Sequence, residues 1–310
     1  MNKALVLVGP TASGKTAVAC ELARRFPAEL ISCDSMQVYR GMPITTQAPS
    51  KKEQKILKMH LVSFLSVSKE YNAALFQKDG RAWMKKIAAK KKTPMIVGGT
   101  GLYVRALLDG LFENERDRMD EKLRRRLAQA EERHGAGHLH GRLRDVDATA
   151  AARIHPNDLR RLIRALEIFH LTGQSMSSQE KNRHGIRAEW DCRTFLLDRD
   201  RTDLYERIDR RVHQMIKEGL VEEVEKIRKK KPGKTAGMAL GLREIGAHLD
   251  GRCKLEEAVE ELKKNTRRYA KRQLSWFRHE KEICVVPVSK EETAKATANK
   301  IWRLWKEARA

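Results

Sequence analysis

The sequence has no long hydrophobic run and no paired arrangement of cysteines. No apolar stretch approaches the length of a transmembrane helix, and the first one, Ala4–Val8, is too short for a signal peptide. The five cysteines are scattered, and no two have the spacing of metal ligands or of a disulfide framework. We therefore expect a protein of the reducing cytoplasm that does not associate with membranes.

Acidic side chains are outnumbered by basic ones. The chain has 310 residues, with 64 Lys+Arg against 41 Asp+Glu and a formal net charge of +23. This length is enough to bury a full core and to form two folding units. An enzyme of a small metabolite does not need such an excess, so the charge favours a polyanionic partner. A basic surface that is merely solvated is the alternative.

A phosphate-binding loop follows the apolar run Ala4–Val8. The eight residues from Gly9 read Gly-Pro-Thr-Ala-Ser-Gly-Lys-Thr, and a helical pattern begins near Lys15. The amide end of that helix and the loop N–H groups converge on a phosphate, Lys15 supplies a charge, and the Thr16 hydroxyl is placed to hold Mg²⁺. The residues expected to bind phosphate groups are Gly9, Pro10, Thr11, Ala12, Ser13, Gly14, Lys15 and Thr16.

The first 110 residues alternate apolar runs with helical patterns, which predicts a parallel α/β sheet. In such a sheet the carboxyl ends of the strands form the ligand crevice, so polar segments that follow strands should converge there with the phosphate loop. These segments are Asp34–Arg40 and Gly98–Tyr103. We predict strands at Ala4–Val8, Ala28–Cys33, Pro94–Val97 and, shorter, around Leu61–Phe64, with helices at Lys15–Arg25, Lys51–Lys58 and Ala73–Lys90.

Two side chains at this crevice, and one in the helix predicted after Asp198, are candidates for chemistry. Asp34 could bind Mg²⁺ or act as a general base, or it could simply cap a helix. Gly98 and Gly99 would let the backbone approach a ligand closely, and the Thr100 hydroxyl could contact that ligand. Arg211 could clamp a diphosphate, although a surface arginine pair with its neighbour is equally open.

Residues 113–187 differ in character, being charged and helical, and we predict a small helical insertion into a core formed by 1–112 and 188–310. A helix is expected at 115–135 and another at Asp158–Leu171, whereas Ser175–Arg187 lacks periodicity, as a hinge or mobile loop would. Beyond it we predict strands at Arg193–Leu197 and Ile283–Val288 and helices at Arg201–Glu218, Leu220–Lys229, Glu256–Glu280 and Lys290–Glu307.

A basic amphipathic helix is predicted around residues 267–278. Ala270, Leu274 and Phe277 form a stripe that should face the core, and no acidic residue occurs between Thr266 and His279. The opposite face carries Arg267, Arg268, Lys271 and Arg272 at four-residue spacing. Such a cationic ridge favours contacts with nucleic-acid phosphates.

A second basic site lies in the insertion, at Arg160, Arg161 and Arg164. Arg164 could instead pair with Glu167, three residues further along the same predicted helix.

Taken together, these segments resemble the bacterial tRNA dimethylallyltransferase (tRNA isopentenyltransferase) family over nearly the whole chain. The resemblance implies an α/β fold with a P-loop NTPase-like parallel sheet flanked by helices and a small helical insertion domain. It also implies transfer of a dimethylallyl group from dimethylallyl diphosphate to N6 of the adenine adjoining the anticodon of tRNA on its 3′ side. We expect a monomer, with Mg²⁺ held by Thr16. The segments that resemble the family are Gly9–Thr16, Asp34–Arg40, Gly98–Tyr103, His155–Asp158 with Arg161 and Arg164, Asp198-Arg199, Arg207–Met215, and Lys271–Gln273 with Trp276.

The resemblance also implies roles for individual residues. Asp34 would be the base, Thr100 would contact the reaction centre, and Arg211 would bind the diphosphate. The implied tRNA contacts are Asp34, Ser35, Met36, Gln37, Arg160, Arg161, Arg164, Arg267, Arg268, Lys271, Arg272, Trp276 and Arg278.

Two segments depart from the family pattern. Thr45–Pro49 stands where Gly-Thr-Ala-Lys-Pro is usual, and Met59-His60 replaces a His-His pair, which puts the shape of the substrate channel in question. Two other functions stay open at this point. A P-loop small-molecule or nucleoside kinase would turn over ATP without tRNA, and a non-catalytic RNA-binding protein would not depend on Asp34.

Overall fold

A computed structural model describes residues 2–111, 120–180, 183–280 and 282–307 of the chain. The chain divides into two compact units. The first unit comprises the residues up to Leu108 and those from Arg187 onward, and the second is Asp109–Ile186. No helix in the described part of the chain combines the length and the apolar character needed to cross a membrane.

The first unit is built on a parallel sheet. Its strands, in the described residues, are β1 (Asn2–Val8), β2 (Ala28–Cys33), β3 (Met59–His60), β4 (Thr93–Gly98), β5 (Trp190–Arg199) and β6 (Ile283–Val288). They lie side by side in the order β3-β2-β4-β1-β5-β6, every pair parallel. β1 is central and buried from Ala4 to Val8, because helices cover both faces of such a sheet. The predicted α/β class is confirmed.

Helices follow the strands as the alternation in the sequence predicts. In chain order the α-helices are α1 (Lys15–Ala23), α2 (Pro43–Thr46), α3 (Lys51–Ile56), α4 (Ala73–Ala89), α5 (Gly101–Leu108), α6 (Glu121–His134), α7 (His138–Val146), α8 (Ala148–Arg153), α9 (Leu159–Thr172), α10 (Met176–Gln179), α11 (Arg201–Lys217), α12 (Leu220–Lys229), α13 (Leu242–Leu249), α14 (Leu255–Arg278) and α15 (Ala294–Glu307). Short 3₁₀ turns occur at Ile186–Ala188 and Ala236–Met238. α15 begins at Ala294 rather than at the predicted Lys290.

The short third strand is not where the sequence placed it. It is Met59–His60, whereas the predicted Leu61–Phe64 forms a turn. Leu61 has φ 60° and Ser63 has φ 50°, values that no β-strand contains. The apolar residues of this segment give it the composition of a strand. Its backbone instead turns toward the segment after β2, where Phe64 N–H donates to Val38 O at 3.0 Å.

The second unit consists of α6 to α10 around a core of its own. Leu127, Leu139, Leu143, Leu162 and Leu166 form this core. The helix expected at 115–135 is α6, which begins at Glu121 after the capping carboxylate of Asp120, and 115–119 lie outside the described residues. The segment 175–187 was expected to lack regular structure, but it contains α10, because the Ser175 hydroxyl accepts from Ser178 N–H at 3.1 Å and caps that turn.

Candidate active site

The phosphate loop connects β1 to α1, and its glycines are required by its shape. Gly14 has φ 94° and Gly9 has φ 155°. A Cβ on Gly9 would lie 3.0 Å from Ser13 Oγ and 3.1 Å from Leu197 O, so a side chain there would require these atoms to shift. α1 starts directly after Gly14 with no acidic residue in its first turn, which leaves the positive end of the helix dipole uncompensated at the loop.

Lys15 lies inside the loop. Its ammonium donates to Gly9 O at 3.0 Å and to Pro10 O at 2.6 Å. Burial lowers the pKa of Lys15 to about 8, the nearby Asp34 carboxylate opposes that shift, and Arg211 adds to it. The three charged groups that sequence reasoning selected from separate segments are therefore in electrostatic reach of one another.

Three side chains that sequence reasoning did not assign to the loop hold its backbone. Gln273 accepts from Thr11 N–H at 2.8 Å and donates to Gly99 O at 2.9 Å. Arg207 donates to Ala12 O at 2.9 Å, and Arg199 donates to Ser13 O at 3.1 Å. A signal for Gln273 was present, because a polar residue on the buried stripe of α14 needs a polar partner.

Asp34 follows β2 and forms a local cap. Its Oδ1 accepts from Met36 N–H at 2.8 Å and from Gln37 N–H at 3.3 Å. The capping role that the sequence left open is thus present, and it uses one carboxylate oxygen. Asp34 is only partly buried, so a capping role and a chemical role are compatible.

Thr100 meets the Asp34 segment across the crevice. Its Oγ1 accepts from Ser35 N–H at 3.0 Å. Ser35 Oγ is 3.4 Å away from the same Thr100 oxygen. β2 and β4 are neighbours in the sheet, and this contact joins the residues that follow them.

The glycines around Thr100 make room for protein atoms. A Cβ on Gly98 would lie 2.0 Å from Cys33 O, and one on Gly99 would lie 2.2 Å from Gln273 Nε2. Gly101 would meet Trp276 at 2.3 Å. Close packing of strand, loop and α14 therefore requires glycine at these positions. The close approach of a ligand to Gly98 and Gly99 stays a prediction.

Arg211 projects from α11 toward the phosphate loop. Its Nε donates to Gln47 Oε1, and its Nη1 lies 3.5 Å from Thr11 Oγ1. Burial lowers the pKa of Arg211, and the Asp34 carboxylate opposes that shift. Arg210 is exposed, so the neighbouring arginines have different surroundings.

The basic face of α14 is partly neutralised by other helices and strands. Ala270 and Phe277 are buried and Leu274 packs beside them, which confirms the predicted apolar stripe. Arg267 pairs with Asp209 at 3.3 Å and Arg278 pairs with Asp198 at 3.0 Å.

Three further cations of the basic face, and Trp276 beside them, have different surroundings. Arg268 lies 3.5 Å from the amide oxygen of Asn265, and Lys271 and Arg272 are exposed. The Trp276 ring is 4.4 Å from the Arg105 guanidinium, so one face of it is covered.

Arg160 and Arg161 of the second unit are both exposed. Arg161 lies 3.4 Å from Asp158. Arg164 donates to the buried Glu167 carboxylate at 2.6 Å, beside Arg124 at 2.8 Å, which confirms the pairing that the sequence allowed.

The phosphate loop offers one oxygen ligand of the kind that Mg²⁺ takes. The described residues contain no group of three or more His, Cys, Asp or Glu side chains that could hold a metal. Mg²⁺ does not need one, since it is held by a few hard oxygens together with water and substrate phosphates. The Thr16 hydroxyl at the start of α1 is an oxygen of this kind.

A phosphate loop at the carboxyl edge of a parallel sheet, with a carboxylate and an arginine in electrostatic reach of its lysine, defines a P-loop enzyme. The model of the family "IPP transferase" matches residues 37–280, and the "Isopentenyl transferase" model matches residues 2–69. The chain belongs to the IPP transferase family, which confirms the resemblance read from the sequence.

Individual members of this family are similar to the chain over nearly its whole length. The chain is 43% identical to the tRNA dimethylallyltransferase of Symbiobacterium thermophilum over 98% of this chain and 95% of that protein. The solved tRNA isopentenylpyrophosphate transferase of Bacillus halodurans is 38% identical, with a TM-score of 0.71 over 99% of this chain and 98% of that one. The corresponding enzyme of Staphylococcus epidermidis is 31% identical, with a TM-score of 0.69 over 99% and 100%.

Proposed function

We propose that this protein transfers the dimethylallyl group of dimethylallyl diphosphate to N6 of the adenine that adjoins the anticodon of tRNA on its 3′ side, with release of diphosphate. One observation carries the proposal beyond family membership. Gln273 joins Thr11 of the phosphate loop to Gly99, and Thr100 accepts from Ser35 N–H beside Asp34. Arg211 Nη1 lies 3.5 Å from Thr11 Oγ1, so a carboxylate and two cations border one crevice at the phosphate loop. Alkyl transfer from a diphosphate needs this pairing of a proton acceptor with a cationic site for the leaving group.

The leaving group is the first requirement. The bond between the allylic carbon and the diphosphate oxygen breaks, and negative charge accumulates on the diphosphate. Lys15, the loop N–H groups and Arg211 would bind that charge. Thr16 would hold Mg²⁺, which supplies further charge neutralisation on the phosphate oxygens.

The acceptor is the second requirement. The adenine amine is a weak nucleophile because its lone pair is delocalised into the ring. As the new bond forms between N6 and the allylic carbon, one N6 proton passes to the Asp34 carboxylate. Oδ1 is engaged by two backbone N–H groups, so the proton goes to Oδ2. The Thr100 hydroxyl, fixed against Ser35, would orient the amine.

The tRNA is the third requirement. Its target base is stacked in the anticodon arm and must be extruded before it enters the crevice. The exposed cations of α14, Arg268, Lys271 and Arg272, would contact the tRNA backbone, and Arg160 and Arg161 of the second unit would contribute further phosphate contacts. We further propose that the protein acts as a monomer in the reducing cytoplasm, where its free cysteines would stay unpaired.

The direct test is incorporation of label. The protein is incubated with radiolabelled dimethylallyl diphosphate and unmodified tRNA, with and without Mg²⁺. We expect label in the tRNA only when Mg²⁺ is present, and none when the target adenine is replaced by guanine. A parallel reaction with γ-labelled ATP and nucleosides tests kinase activity. Failure to label any tRNA would overturn the proposal.

A further inference from the structure

The segment where the sequence departs from its family pattern contacts the arginine of the crevice. α2 (Pro43–Thr46) is followed by Gln47, whose backbone is left-handed with φ 52°. The Gln47 side chain is the hydrogen-bond acceptor for Arg211 Nε. Nothing in the chemistry proposed above uses this glutamine.

Hydrogen bonds fix both the side-chain amide and the backbone of Gln47. Its Nε2 donates to Ile44 O at 2.7 Å, so Oε1 is the atom that faces Arg211. The Gln47 backbone carbonyl accepts from Gln37 Nε2 at 3.1 Å. Gln37 in turn accepts from Ser32 Oγ at 2.9 Å, which ties the arrangement to β2.

α2 itself is anchored by a buried carboxylate. Glu223 of α12 accepts from Ile44 N–H at 3.0 Å, from Thr45 N–H at 2.7 Å and from the Thr45 hydroxyl at 2.7 Å. A four-residue helix has little stability of its own, so this anchor supplies the rigidity that an orienting contact needs. Gln47 is therefore held in place independently of Arg211.

The contact determines which edge of the guanidinium is available. Gln47 occupies Nε, so a bidentate contact with a phosphate must come from the Nη1 and Nη2 edge, whose Nη1 lies 3.5 Å from Thr11 Oγ1. Gln47 is also neutral. It orients the arginine without cancelling its charge, whereas a carboxylate in its place would form an ion pair with it.

We propose that Gln47 is a positioning residue, which directs the Nη edge of Arg211 onto the departing diphosphate. The inference rests on the proposed function for the identity of the substrate, but its first test does not. Inorganic diphosphate is the probe, and its dissociation constant with Mg²⁺ is measured by calorimetry for the unaltered protein and for Gln47→Ala, Gln47→Asn and Gln47→Glu.

We expect Gln47→Ala to weaken diphosphate binding about tenfold, the size of effect typical of a lost hydrogen bond to a charged group. Gln47→Asn keeps a residue that tolerates the left-handed backbone but shortens the arm, so it should weaken binding comparably. Gln47→Glu should weaken it most, because its carboxylate competes with the ligand for Arg211. Gln214→Ala, at an exposed glutamine of α11, is the matched control and should bind as the unaltered protein does.

A double-mutant comparison with Arg211 distinguishes a positioning role of Gln47 from a general effect on the structure. In an Arg211→Lys background no Nε remains, so Gln47→Ala should add less than about a twofold change. In the transfer assay, Gln47→Ala should raise KM for dimethylallyl diphosphate while tRNA affinity stays the same. Unchanged diphosphate binding in Gln47→Ala, or an equal loss in the Arg211→Lys background, would overturn the inference. Absence of transfer by the unaltered protein would overturn the proposed function alone.

Discussion

Gln273 accepts a hydrogen bond from the backbone N–H of Thr11 at 2.8 Å, so a side chain of α14 holds the phosphate loop. The same amide donates to Gly99 O at 2.9 Å. One buried group thus sets the spacing between the loop after β1 and the loop after β4. Because α14 also carries the basic face, the proposed tRNA-binding helix and the phosphate loop are directly linked.

Replacing Gln273 by methionine tests this link. Gln273→Met keeps the length of the side chain but removes both hydrogen bonds, leaving Thr11 N–H and Gly99 O without them. We expect KM for dimethylallyl diphosphate to rise about tenfold and the free energy of unfolding to fall by about 2–4 kcal/mol. Steady-state kinetics and urea unfolding are the measurements. Gln54→Met, at an exposed position, is the control, and an unchanged KM in Gln273→Met would contradict the link.

Asp34→Asn separates the two roles of the carboxylate. Asparagine retains an oxygen that can accept from Met36 N–H and Gln37 N–H, so the local turn persists, but it cannot take a proton from N6. The single-turnover rate of transfer should fall by about 10²–10⁴. The dissociation constant for tRNA, measured by filter binding, should stay the same. If Asp34→Asn binds tRNA more weakly but transfers at the normal rate when saturated with tRNA, Asp34 contributes to tRNA binding and not to the chemical step.

The charge on Lys15 predicts a pH dependence. Its pKa is lowered to about 8, so the free protein loses this positive charge as the pH rises through that value. Diphosphate stabilises the charged form, and affinity for inorganic diphosphate should therefore fall above the pKa, approaching about tenfold per pH unit. Lys15→Arg stays charged throughout this range.

The quantity to compare is the difference in diphosphate affinity between the unaltered protein and Lys15→Arg, because the protonation of the diphosphate itself affects both proteins equally. Calorimetric titrations between about pH 7 and pH 10 should give parallel curves below the Lys15 pKa and diverging curves above it. Curves that remain parallel up to the highest pH would mean that Lys15 keeps its proton.

Arg268 and Arg278 offer a matched pair on α14. Arg268 contacts the neutral Asn265, whereas Arg278 pairs with Asp198. Arg268→Ala should weaken tRNA binding and reduce by about one the slope of log affinity against log salt concentration. Arg278→Ala should reduce the slope less, since its charge is already paired. Equal slopes in the unaltered protein and Arg268→Ala would remove Arg268 from the interface.

The order of the core strands and helices could be predicted from the sequence, because each of them has a hydrophobic pattern confined to its own residues. β2 and β6 were predicted to the residue, and α12 likewise, since each is an apolar pattern bounded by charged or turn-forming residues. Leu61–Phe64 shows the limit. Its apolar composition resembles a strand, but its backbone conformation is set by contacts with the segment after β2.

The site was only partly predictable, for a related reason. Spacing along α14 shows a helix face without acidic residues, yet Asp198 and Asp209 reach that face from other parts of the chain. The arginines that hold the phosphate loop, Arg199 and Arg207, follow it by nearly two hundred residues. Contacts between residues so far apart in the chain leave no pattern in the local sequence. The candidates for chemistry could therefore be predicted, but the residues that hold or neutralise them could not.

The position of β1 in the sheet has a consequence for synthesis of the chain. β1 lies between β4 and β5, and β5 begins only at Trp190. While the ribosome makes the second unit, Asp109–Ile186, one edge of β1 therefore has no partner strand. An open apolar edge of this kind is prone to pair with other chains. The edge of β1 that later pairs with β5 therefore stays available for such pairing until the second unit has been translated.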